Sequence, residues 1–234
     1  MNVAGGRSVF YAWFLRLSPG SKEEVGRLTR EPSWQVLLIG GNSGAGKTTV
    51  ARELGLHFEI PWLQVDDLRL MLEWNTEPVQ RPALHHFDDQ AHVYQHPADV
   101  ITAWRIAMAE DTSRGIEIVI ANHVSGRVPI VLEGDDIVPG LAAQRTFAQF
   151  DIRVGAVHSI FVIEDDEAII MANLRRRGRG FGFSSRTPDE QANQVRVSRL
   201  YGEWLEQEAR RYDLPALPAR PYDTLARRVI GILG

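Results

Sequence analysis

The stretch Gly41-Asn42-Ser43-Gly44-Ala45-Gly46-Lys47-Thr48 constrains this chain more than any other. It follows an apolar run of strand length at 34–40 and precedes a helical pattern at 48–58, the strand, loop and helix order that a phosphate-binding loop requires. Of 26 basic residues only Lys22 and Lys47 are lysine, and at this composition the spacing arises by chance in about one such sequence in a thousand. Glycines let the backbone curl so that successive N–H groups face inward, and the following helix adds the positive end of its dipole. Lys47 then supplies a point charge for phosphate oxygens, and the Thr48 hydroxyl, with Thr49 beside it, is placed to meet an octahedral Mg²⁺. A plain glycine-rich turn has no need of lysine and threonine at this spacing.

The remaining composition narrows the class. At 234 residues the chain suits one α/β domain with a full core, and 44% apolar content, 24% charged content and a net charge of −4 are ordinary for a globular protein. That balance gives no global pull toward nucleic acid. The chain has no cysteine, which excludes disulfides, thiolate catalysis and cysteine-held zinc and suits a cytoplasmic protein. The apolar run at 9–17 is nine residues long and contains Arg16; it fits neither a signal peptide nor a membrane span. It reads as a strand packed on the core or as an arm that makes a dimer contact. A monomer and a homodimer both remain open.

Residues 1–33 form an N-terminal arm or extra strand, and 34–234 one domain. Further strands are expected at 61–65, 129–132, 154–163 and 214–217, with helices at 68–74, 98–123 (bent or split near Gly115), 165–177, 188–212 and 222–233. Strands alternating with helices argue for a parallel sheet covered on both faces. The insert 75–97 lacks a sustained period; its His85, His86, Asp88, Asp89, His92 and His96 suit a solvated rim, a substrate-facing edge or a metal site.

Ligands of parallel sheets sit beyond the carboxyl ends of the strands, and three polar clusters fall there. Besides the loop these are Asp66-Asp67 after the second strand and Glu133-Gly134-Asp135-Asp136 after the third. Asp66 is either an acid/base or Mg-linked carboxylate or a helix N-cap; Asp67 is the better cap and is also a candidate for binding the substrate. Glu133 suits the Mg²⁺ side of such a site. Asp135 and Asp136 either orient a substrate or form a solvated turn. Between 175 and 186 lie five arginines (Arg175, Arg176, Arg177, Arg179, Arg186), Gly178, Gly180 and Gly182, and no acidic residue. This segment, 175–188, reads as a lid whose guanidiniums close over a transferring phosphoryl group, or as a solvated helix end and loop.

With these landmarks the chain resembles the small-molecule kinases of the P-loop superfamily, most nearly the 2-phosphoglycerate-kinase-like group. The likeness runs from about Val36 to the C-terminus through LLIGGNSGAGKTTVARELG at 37–55, VDDLRLML at 65–72, VLEGDDIVPGL at 131–141 and IFVIEDDE at 160–167. It implies a five-stranded parallel sheet in order 2-3-1-4-5, ATP and Mg²⁺ as cosubstrates, Asp66 serving the acceptor hydroxyl, and Arg69 facing the acceptor's charged group. It departs from that pattern at Asp135 and Asp136, at the insert and at the arm, all on the acceptor side. The expected activity is transfer of the γ-phosphoryl group to a hydroxyl of a metabolite, antibiotic or nucleoside. The alternative is a regulatory nucleotide-binding ATPase. A guanine-specific clamp needs a lysine that this chain lacks, and no transporter-type signature is present.

Overall fold

The structure, a computed structural model, describes residues 32–88, 92–176 and 182–233. The arm at 1–31, Asp89, Arg177 and Arg179 fall outside the described residues. The elements run β1 (Val36–Gly41), α1 (Lys47–Phe58), β2 (Trp62–Gln64), α2 (Val65–Trp74), α3 (Ala98–Gly126) and β3 (Ile130–Glu133). There follow α4 (Pro139–Ala142), β4 (Thr146–Phe147), β5 (Phe150–Asp151), β6 (Val157–Ile163), α5 (Glu167–Arg176), α6 (Pro188–Arg211), β7 (Ala216–Pro218) and α7 (Leu225–Leu233).

The principal sheet has the order β2-β3-β1-β6-β7, and all its pairings are parallel. Counted along the chain, its five strands lie in the order 2-3-1-4-5, with β4 and β5 set apart as a small antiparallel hairpin. β1 is central and fully buried because successive side chains serve opposite faces. Val36 and Leu38 pack with Ile116 and Ile120 of α3 and Leu205 of α6. Leu37 and Ile39 pack with Val50 and Leu54 of α1 and Val229 of α7. Helices thus cover both faces, and the register Gln64↔Glu133↔Ile39 brings three strand ends to one edge.

Helix α3 is continuous over 29 residues, so no break occurs at Gly115. That glycine answers a packing need instead: a Cβ there would lie 3.0 Å from Leu72 Cδ1, and its absence lets α2 approach. α6 opens with the reciprocal bonds of a capping box between Thr187 and Glu190. α2 begins earlier than its sequence suggests, with Gln64 at the N-cap. Asp66 and Asp67 therefore sit inside the first turn, where carboxylates complement the helix dipole, and neither is the cap.

The described residues of the insert are packed and do not form a plain solvated loop. Leu84 and Val93 are buried, His86 stacks on Trp104 with ring centroids 5.4 Å apart, and Asn193 of α6 donates to the carbonyls of Tyr94 (2.7 Å) and His96 (2.8 Å). Among the described residues no group of three His, Asp or Glu is placed to hold a metal ion. None of the described helices is long and apolar enough to cross a membrane.

Candidate functional site

Between β1 and α1 the loop turns on Gly44 and Gly46, at φ 87° and 88°, the left-handed region that glycine enters without a Cβ penalty. Asn42 moors the loop. Its side chain donates to the Glu164 carbonyl (2.9 Å) and Ser198 Oγ (3.2 Å) and accepts from the Glu164 N–H (3.0 Å), while Ser198 Oγ donates to the Ser43 carbonyl (2.8 Å). Asn42 is fully buried, so its amide holds the end of β6 and the middle of α6 to the loop.

Lys47 is only 1% exposed. Its ammonium donates to the Asn42 carbonyl at 2.9 Å and to Asp135 Oδ1 at 2.5 Å. The other Asp135 oxygen accepts from the Ser43 hydroxyl, and Arg105 Nη2 lies 3.5 Å from it. One carboxylate thus neutralises the lysine from the inner side of the loop.

Thr48 Oγ1 donates to Glu133 Oε1 at 2.9 Å, and Gln64 Nε2 donates to the same oxygen at 2.9 Å. Burial raises the Glu133 carboxyl above its usual range, opposed by Lys47 and the bonds from Gln64 and Thr48. A hydroxyl and a buried carboxylate next to the lysine form a donor set of the oxygen type that Mg²⁺ takes. Asp66 lies on the same wall: a Cβ added at Gly134 would stand 3.6 Å from its Oδ1.

These groups line one cleft of about 850 Å³. Gly44, Gly46, Lys47, Thr48 and Thr49 form its floor, and Gln64, Asp66, Glu133 and Asp135 one wall. Asn173, Arg176 and Tyr222 line it as well. Tyr222 covers the loop closely, since a Cβ on Gly46 would lie 3.3 Å from its ring. Its hydroxyl donates to Glu164 (2.7 Å) and accepts from Asn173 (3.0 Å), which also donates to the Gly44 carbonyl (2.9 Å). Burial, with the Glu164 bond and charge, holds the phenol protonated well above its ordinary range.

Asp136 is fully buried, not part of a solvated turn. Arg105 Nη2 lies 3.1 Å from it and Arg69 Nε 3.3 Å, and Arg69 also pairs with Glu73. Burial raises the Asp136 carboxyl to about 6 against the pull of Arg105 and Arg69. Burial opposes the charge of Arg105, but Asp136 and then Asp135 outweigh it and raise its value. Tyr201 completes the cluster: its hydroxyl donates to the Asp135 carbonyl (2.6 Å) and its ring lies 5.7 Å from the Arg105 guanidinium.

The structure therefore brings together Lys47, Thr48, Thr49, Asp66, Glu133 and Asp135, with Asp136 and Arg69 directly behind. Asp67 is exposed and does not line the cleft. Arg186 is also outside the lining; its guanidinium lies over the Tyr94 ring at 4.3 Å and donates to Gln194 at 2.6 Å. Sequence reasoning missed Gln64, Arg105, Asn173 and Tyr222. Gln64 had a usable signal, since it ends the strand just before Asp66; the other three had none.

No known protein family matches this chain, and no curated protein matches it. Among solved structures it is similar to a gluconokinase from Sinorhizobium meliloti 1021, at 16% identity over 87% of this chain and 93% of that one, with TM-score 0.44. It is also similar to deoxyadenosine kinase from M. mycoides, at 14% identity over 85% and 98%, with TM-score 0.46. A shikimate kinase from Bacteroides thetaiotaomicron matches at 13% identity over 85% and 98%, with TM-score 0.48. Likenesses at this level carry nothing about what this chain acts on.

Proposed function

We propose that the protein is a kinase that transfers the γ-phosphoryl group of Mg·ATP to a hydroxyl of a small molecule. The observation that carries this reading is the meeting of Lys47, the Thr48–Glu133 pair and Asp66 on one cleft, around a loop whose amides form an anion-binding nest. The loop N–H groups of 41–46 and Lys47 hold the nucleotide phosphates, and Lys47 exchanges Asp135 for a phosphate oxygen. Thr48, through its hydroxyl, and Glu133 would hold Mg²⁺, which would supply neutralisation of phosphate charge. Asp66 takes the acceptor's hydroxyl proton as that oxygen bonds to the γ-phosphorus and the bond to the β–γ bridging oxygen breaks, leaving ADP. Tyr222, at the loop's outer side, covers the nucleotide end. Arg177, Arg179 and Arg186 supply charge to the transferring group when the lid closes.

The test incubates the full chain with Mg·ATP and pools of hydroxylated compounds and looks by mass spectrometry for a compound that gains one phosphoryl group. The expected result is one such product, absent with Lys47→Met. Acceptor-independent ATP hydrolysis with no phosphorylated product overturns this reading in favour of a regulatory ATPase.

A further inference from the structure

Three successive carbonyls of the glycine-rich loop each accept from a side chain. The Asn42 carbonyl takes the Lys47 ammonium at 2.9 Å, the Ser43 carbonyl the Ser198 hydroxyl at 2.8 Å, and the Gly44 carbonyl the Asn173 amide at 2.9 Å. Lys47 follows the loop directly, whereas Asn173 stands on α5 and Ser198 on α6. A trans peptide is planar, with its C=O and the next N–H on opposite sides. Fixing the Ser43 carbonyl therefore fixes the Gly44 N–H. Fixing the Gly44 carbonyl likewise fixes the Ala45 N–H, which closes a turn onto the Asn42 carbonyl at 3.2 Å. Gly44 has no Cβ to restrict its own dihedrals, so these two bonds supply the restraint that its residue type lacks.

Both helices lie against the loop. A Cβ on Gly44 would stand 3.5 Å from Ile170 Cα of α5, and a Cβ on Gly202 of α6 would stand 3.0 Å from Asn42 Cγ. Ser198 is 6% exposed and does not line the cleft, so its hydroxyl serves the loop from behind. Asn173 does line the cleft, but its amide is in use. Nδ2 donates to the Tyr222 hydroxyl at 3.0 Å as well as to Gly44, and Oδ1 accepts from Arg176 Nη2 at 3.1 Å. A side-chain amide has two donor hydrogens, and both are spent within the protein.

Resting on the phosphate-binding part of the kinase reading, we propose that Asn173 and Ser198 are positioning residues: through the Gly44 and Ser43 carbonyls they hold the peptide planes of the loop in the orientation that receives phosphate, and they touch no ligand themselves. A nest binds an anion through N–H groups that converge on it. A loop that has to order as the anion arrives gives up part of that affinity, and the two side chains remove this cost before the ligand enters.

The experiment measures the equilibrium Kd for Mg·ATP and for Mg·tripolyphosphate on the full chain and on its Asn173→Ala and Ser198→Ala variants, well below their melting temperatures. Tripolyphosphate carries no nucleoside and reports on the loop alone. The expected result is a loss of about three- to tenfold in each variant, the scale of one hydrogen bond, and of equal size for the two ligands. Unchanged tripolyphosphate affinity in both variants, whatever their melting temperatures, overturns the proposal and reduces the two bonds to packing of α5 and α6. A loss confined to ATP, or to one of the two variants, overturns the shared positioning role. Should Ser198→Ala fail to fold, Ser198→Cys takes its place, since a thiol is a weaker donor at the same position. An unchanged protein that binds neither ligand overturns the kinase reading and the proposal together. The expected losses without any phosphorylated product in the transfer assay overturn the kinase reading and leave the proposal standing.

Discussion

Lys47 Nζ and Asp135 Oδ1 stand 2.5 Å apart, with the lysine side chain 1% and the aspartate 15% exposed. The glycine-rich loop therefore holds its own counter-ion, and on the proposed kinase reading a nucleotide bound there competes with a carboxylate already in contact with both Lys47 and Ser43.

Asp135→Asn is expected to lower the stability of the free protein by about 3 kcal/mol, since a buried ammonium loses its partner. Nucleotide phosphate can replace that partner. Mg·ATP is accordingly expected to raise the melting temperature of the variant more than that of the unchanged protein. A thermal-shift comparison checks this; equal shifts in both would mean that Lys47 does not exchange Asp135 for phosphate.

Asp66→Asn keeps the size of the side chain and removes its basicity. If Asp66 receives the acceptor proton, kcat falls by about a hundredfold or more while the nucleotide Kd stays within about threefold. Single-turnover rates and equilibrium titration read the two quantities separately. A normal rate would reduce Asp66 to a carboxylate in the first turn of α2, where it complements the dipole.

Asp136 makes the pH dependence of stability predictable in sign. Its carboxyl rises from the ordinary 3.8 to about 6 in the folded chain, chiefly by burial, so the folded form binds this proton more tightly than the unfolded form. The stabilising contribution is full below 3.8 and is lost as pH rises through about 6. Burial shifts Glu133 in the same direction. Relative to the unchanged protein, Asp136→Asn is expected to remove part of the fall in melting temperature across that window. Parallel profiles for the two proteins would show that Asp136 does not titrate there.

The fold was legible where a physical rule ties residue type to position. Parallel strands carry their polar ends to one edge, so the loop, Asp66 and Glu133 converge as their places after apolar runs imply. The hairpin at 146–151 was not legible, because its turn uses Ala148 and Gln149 at φ 46° and 72°, conformations for which neither residue is a signal. Arg105 escaped because it lies in the middle of α3, where apolar spacing marks the core face and says nothing of a buried cation. Asn173 and Tyr222 are 49 residues apart and meet only because β6 and β7 are neighbours. Asp135 and Asp136 were ambiguous for a related reason: a carboxylate at a strand end reads the same in sequence whether water or arginine surrounds it.

Arg186 separates the two readings of the segment at 175–188. Its guanidinium lies 4.3 Å from the Tyr94 ring centroid and holds Gln194, a contact worth about 1 kcal/mol by itself. If that contact is its whole role, Arg186→Met and Tyr94→Leu should each cost a modest amount of stability and leave kcat unchanged. If the arginine leaves Tyr94 to meet charge developing on the phosphoryl group, Arg186→Met lowers kcat by about a hundredfold with little effect on nucleotide affinity. Tyr94→Leu, which removes the resting place and not the guanidinium, would then leave most of kcat intact. The second pattern is expected. Single-turnover kinetics and melting curves on the two variants decide it, and equal small losses of stability with unaltered rates would make Arg186 a packing residue of the insert.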